Sequence, residues 1–127
     1  MAARSKSAKG SGAAIQRIKP GVRFSTAVVH GDLVHVAGQV ASDTKGGITG
    51  QTKSVLKALD AALKAAGTSK SKLLSCTVYL SDMRQFAAYN AVWDAWVDKA
   101  NMPTRATVET RLAMPDYLIE IVAVAAR

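Results

Sequence analysis

Residues 115–126 read "PDYLIEIVAVAA", an apolar, β-branched run with one carboxylate, Glu120, inside it. A strand of this composition is half or wholly buried in a sheet. A charge placed there needs a partner, an ordered water or an altered protonation state. The strand therefore sets two questions: which elements surround it, and what answers Glu120.

The neighbouring stretch, "PTRATVETRLA" from Pro103 to Ala113, alternates in the manner of a strand. Arg105, Thr107, Glu109 and Arg111 share one face, and Ala106, Val108, Thr110 and Leu112 the other. If this strand (104–112) and the last one (117–125) pair as a tight hairpin about "AMPD", Glu120 lies near Glu109. Arg105 is then about 13 Å away, too far for an ion pair. In that case the pairing is less simple, something fills the gap, or a second subunit completes the site.

Further upstream the chain alternates between two periods. "VRFSTAVVHG" and "DLVHVAGQVA" are short strands joined at His30-Gly31-Asp32, and "SDTKGG" breaks the pattern. Val55, Leu59, Ala62, Leu63 and Ala66 then recur at helical spacing, with Thr49 or Thr52 as the candidate cap and Gly67 as the C-terminal glycine. "KLLSCTVYLSD" is a further strand. Phe86, Tyr89, Trp93, Trp96 and Val97 form the stripe of a second helix that ends before Pro103. The order is ββαβαββ, an α+β fold with one mixed sheet and two helices on one face. The other face needs cover, which self-association supplies.

At 127 residues the chain is a single domain. Its net charge of +8 is concentrated at the start, where six basic residues and no acid precede Asp32. Residues 1–14, "MAARSKSAKGSGAA", have the composition of a flexible basic tail, leaving 15–127 as the domain. The tail lacks the apolar core of a secretory signal; it is compatible with a transit peptide or with non-specific contact to RNA. One cysteine, Cys76, excludes an internal disulfide and fits a reducing, cytoplasmic setting. Two histidines and one cysteine, well separated, make no zinc cluster, and no segment has the length of a membrane span.

Taken singly, the polar candidates read blandly. Glu120 is a structural acid answered by Arg111 or the backbone, Arg105 a solvated strand residue, Asn90 a surface helix residue and Gly38 a bulge glycine. Cys76 reads as core, and the Trp93/Trp96 stripe as helix-to-sheet packing.

Together they read differently. "MPTRATVETRLAMPDYLIEIVAVAAR" resembles the C-terminal signature of the RidA/YjgF family, the reactive intermediate (enamine/imine) deaminases. "LVHVAGQVA" resembles that family's Gly-Gln strand, and "LLSCTVYLSDMRQFAAYNAVWDAW" its third strand and second helix; the likeness runs from Phe24 to the C-terminus. It implies a chorismate-mutase-like fold, a homotrimer with inter-subunit clefts, and no cofactor or metal. It implies that Arg105 grips a substrate carboxylate, that Glu120 orients or activates water, and that Gly38 and Asn90 line the site. Two positions depart from the family: Phe24 stands where a tyrosine is common, and Thr107 where a cysteine is. The implied activity is hydrolysis of 2-aminoacrylate-type enamines and imines to 2-keto acids and ammonia. A non-catalytic binder or sensor of small carboxylates is the second reading, and an RNA-associated role through the tail the third.

Overall fold

The computed structural model describes residues 14–127, so the expectation of a flexible tail falls outside it except at Ala14. Six strands and two helices follow in order: β1 (Ile15–Pro20), β2 (Ser25–His30), β3 (Leu33–Val40), α1 (Gly47–Ala65), β4 (Leu73–Leu80), α2 (Phe86–Trp96), β5 (Thr104–Glu109) and β6 (Ile119–Ala126). They form one mixed sheet in the order β1-β2-β3-β6-β4-β5, with only the β4–β5 pair parallel. Both helices lie on one face, as the sequence pattern requires.

Strand β1 is an addition to the expected order. It is an exposed edge strand carrying Arg17, Lys19 and Pro20. Basic residues and proline suit an edge that must not recruit another strand, but they hide the alternation by which a strand is recognised. The two-residue turn at Gly31-Asp32, by contrast, is where the sequence places it, with Gly31 at φ 61°.

All five residues of the α1 stripe are buried. They pack on Val34 and Val36 of β3 and on Ile119, Ile121 and Ala123 of β6, strands that run through the middle of the sheet. The ends of α1 divide between expectation and correction. At the C-terminus, Thr68 N–H donates to the Leu63 carbonyl (2.9 Å) and Gly67 N–H to that of Lys64 (3.0 Å), a Schellman closure with Gly67 at φ 81°. At the N-terminus neither threonine caps. The helix starts earlier because Gly46 and Gly47 both take positive φ and turn the chain into it. Thr52 lies a turn inside, fully buried, its hydroxyl donating to the Ile48 carbonyl at 2.7 Å.

The supposed hairpin between the last two strands does not form. β4 lies between β5 and β6, paired in parallel with the first and antiparallel with the second. The β4–α2–β5 segment is a crossover unit, which carries β5 to the sheet edge, while β6 returns to the centre.

Candidate functional site

Register decides where each candidate points, because directly paired residues share a face. Arg105 pairs with Cys76, which in turn pairs with Ala123; both partners are buried beneath the helices. Arg105 therefore projects to the helix face. There α2 presents Phe86, Tyr89, Asn90 and Trp93, the i, i+3, i+4 and i+7 positions of one stripe. The guanidinium carbon lies 5.1 Å from the ring centres of Tyr89 and Trp93 and 6.0 Å from that of Phe86. Its Nη1 donates to Asn90 Oδ1 at 2.8 Å. Three π-faces and one amide hold the half-buried cation in a fixed orientation. Most of its five N–H donors remain available.

Thr107 lies two residues along on the same face, opposite Val78. Its hydroxyl is 2.6 Å from that of Tyr89, a residue with no exposed surface. Burial pushes the Tyr89 phenol above its ordinary range, against the opposing effects of the Thr107 hydrogen bond and the Arg105 charge. Burial likewise pushes the Cys76 thiol up to about 11, with Arg105 pulling it down. A neutral thiol at the foot of the cage is a packing group, as its sequence context suggested.

Glu120 is elsewhere. It pairs with Tyr79 on one side and Val40 on the other, so it projects from the open face. Its carboxylate lies against Gly38, where β3 carries a bulge between Val36 and Gln39. A Cβ on Gly38 would overlap that carboxylate and lie 2.9 Å from Glu120 Cδ. Without a Cβ, Gly38 lets the carboxylate lie against the backbone here; a side chain would push the flexible end of Glu120 aside. The Gln39 side chain braces the bulge by donating to the Ala37 carbonyl at 2.8 Å.

Within one chain the expected single site is split: Arg105, Asn90 and Thr107 lie together on the helix face, and Gly38 and Glu120 on the open face. Two strand spacings and a three-residue offset separate Arg105 from Glu120, about 14 Å between Cα atoms. Phe24 joins neither. It lies in the β1–β2 turn, 68% exposed, and four strand spacings, about 19 Å, lie between β2 and β5.

Gln51 supports the Glu120 side and had no reading in the sequence. With no exposed surface, it donates to the Thr44 and Asp116 carbonyls (2.9 and 2.8 Å) and accepts from Leu118 N–H (2.9 Å). It ties the loop before α1 to the segment leading into β6. The only available signal was a polar residue on the apolar side of α1.

Residues 14–127 match the family model described as Endoribonuclease L-PSP. A RutC family protein of Haemophilus influenzae is 43% identical over 112 residues, covering 87% of this chain and 97% of its own. The chain belongs to the YjgF/RutC family. A YjgF-family crystal structure from Neisseria meningitidis superposes with a TM-score of 0.87 at 36% identity, over 90% of this chain and 95% of that one. A Rid-family structure from Yersinia pestis gives 0.83 at 25% identity, over 90% and 100% respectively. The fold is thereby the chorismate-mutase-like α+β fold of the YjgF proteins. Among the described residues, no helix is long and apolar enough to cross a membrane. No group of three His, Cys, Asp or Glu side chains among them could hold a metal ion.

Proposed function

We propose that this YjgF/RutC protein is an enamine/imine deaminase. The observation that carries the reading is the Arg105 cage. A guanidinium held by Phe86, Tyr89, Trp93 and Asn90, half-exposed and with no carboxylate within ion-pair distance among the described residues, is a prepared anion clamp. A bidentate contact with a substrate carboxylate uses its spare donors and fixes the reacting carbon.

The chemistry asks little more. A 2-aminoacrylate-type enamine takes a proton at carbon to become an imine. Water adds across the C=N bond to give a carbinolamine, and loss of ammonia leaves the 2-keto acid. Glu120, lying over the Gly38 backbone, orients the water and accepts its proton as the nitrogen leaves protonated. The setting is cytoplasmic, where pyridoxal-phosphate enzymes release such intermediates.

Because Arg105 and Glu120 face opposite ways in one chain, the working site lies in a cleft between subunits of a homotrimer. The exposed edge of β5 and the half-buried Val28, Val122 and Val124 on the open face support such packing. Phe24, exposed in the β1–β2 turn, serves a neighbour's cleft in this reading rather than its own.

The test is keto-acid formation from freshly generated 2-aminoacrylate. Wild type should accelerate it and Arg105→Ala should not; equal rates for wild type, variant and buffer would refute the reading. One observation favours a second reading, a non-catalytic carboxylate binder: the clamp is complete within one chain and the acid is not part of it. Arg105-dependent heat of binding to 2-oxobutyrate, with no turnover, would select it.

A further inference from the structure

The strand alternation that groups Arg111 with Arg105 stops before it reaches Arg111. β5 ends at Glu109, and Thr110 N–H donates to the Leu80 carbonyl at 2.9 Å, closing the end of β4. The chain then leaves the sheet pattern, and Arg111 lines the same cleft as Glu120, on the open side. That cleft, about 290 Å³, is completed by Tyr79, Thr110 and Val122 among others. Arg111 also lines a second cleft of about 450 Å³ with Ser81, Met114 and Tyr117. It is therefore the cation common to both.

Although they share a cleft, Arg111 and Glu120 do not form an ion pair. Arg111 is exposed and has no carboxylate within 4 Å among the described residues. A cation and an acid that face one small volume without neutralising each other suit a ligand that supplies its own anion beside the reacting centre. The cleft is at the low end of the roughly 300–1,000 Å³ of small-molecule sites, so the ligand is compact.

We infer that Arg111 is a second anion-binding group and that the preferred substrates are 2-imino acids bearing a second carboxylate. The inference rests on the proposed reaction for the placement of the reacting carbon. With that carbon at Glu120 and the first carboxylate on Arg105 of a neighbouring copy, the distal carboxylate falls to Arg111 beside Glu120. A short apolar side chain would leave this guanidinium unused. Arg111 is in this sense a specificity residue, and Glu120 keeps its role toward water.

Binding and turnover test the inference separately. Calorimetry on the full chain would compare 2-oxoglutarate with 2-oxobutyrate, the dicarboxylic and monocarboxylic products. Wild type should favour the dicarboxylate by about tenfold or more in Kd, the scale of one charge-assisted pair. Arg111→Gln should bring the ratio close to one, and Arg111→Lys should leave an intermediate value. The same ratios should appear in kcat/KM for imines generated in situ from glutamate and from 2-aminobutyrate by amino-acid oxidases. No preference in wild type, or a ratio unchanged in Arg111→Gln because both ligands weaken equally, would overturn the inference. Loss of turnover for every imine, with the binding preference intact, would instead overturn the deaminase reading and leave the anion site standing.

Discussion

A mixture of two dead variants should be partly alive. Arg105 and Glu120 leave the sheet on opposite faces, with about 14 Å between their Cα atoms. No rotamer change brings a guanidinium around the edge of a strand and through a packed helix layer to meet that carboxylate. If both act on one substrate, they come from different chains, so Arg105→Ala and Glu120→Gln damage different halves of each cleft. In equal, randomly reassorted subunits, a cleft is whole only when its arginine donor is the Glu120→Gln chain and its acid donor the Arg105→Ala chain. Those two independent choices give about a quarter of the clefts in a closed ring of like subunits. The assay is 2-aminoacrylate hydrolysis after co-refolding the variants, against each variant refolded alone. About a quarter of wild-type activity is expected from the mixture and background from each parent. Background activity in the mixture, with subunit exchange confirmed by mass, would refute the division of the site between chains.

Other consequences follow from single contacts. Gly38→Ala puts a Cβ where the Glu120 carboxylate lies, and the flexible, half-exposed end of that side chain can swing aside, so the variant should stay close to wild type in stability while Glu120 loses its position. Denaturant melts should show little change beside a clear fall in deaminase turnover; a large loss of stability with turnover intact would count against this reading. Gln51→Leu abandons three part-buried hydrogen bonds and should cost roughly 1–3 kcal/mol, seen as a lower urea midpoint. Cys76 is the pH-dependent case. Its folded pKa of about 11 exceeds the ordinary 9.0 because burial disfavours the thiolate. The unfolded thiol therefore ionises first, and stability falls as pH rises from 9 to about 11. The slope approaches about 1.4 kcal/mol per pH unit. Cys76→Ala should lack that component; a wild-type stability profile that matches it across this range would remove the argument.

Much of the fold could be read directly from residues. The α1 stripe, the Gly67 stop, the Gly31-Asp32 turn and the apolar run of β6 are local signals, set by side-chain period and backbone freedom. They sufficed for an α+β domain with helices on one face. β1 escaped because an edge strand is protected by the polar and proline residues that erase its pattern. The caps proposed for α1 failed because Gly46-Gly47 could begin the helix without a side-chain oxygen.

The site divides in the same way. The resemblance named Arg105, Glu120, Gly38 and Asn90 as one set, each within a motif of a single chain segment. Which of them meet was not contained in any segment. Inserting β4 between β5 and β6 sends Arg105 toward α2 and Glu120 toward the open face, and the end of β5 moves Arg111 from the first grouping to the second. Side-chain period is a property of neighbours along the chain, so sequence carries it. Strand order is a choice among long-range pairings that bury the same apolar residues, and only the packed structure makes it.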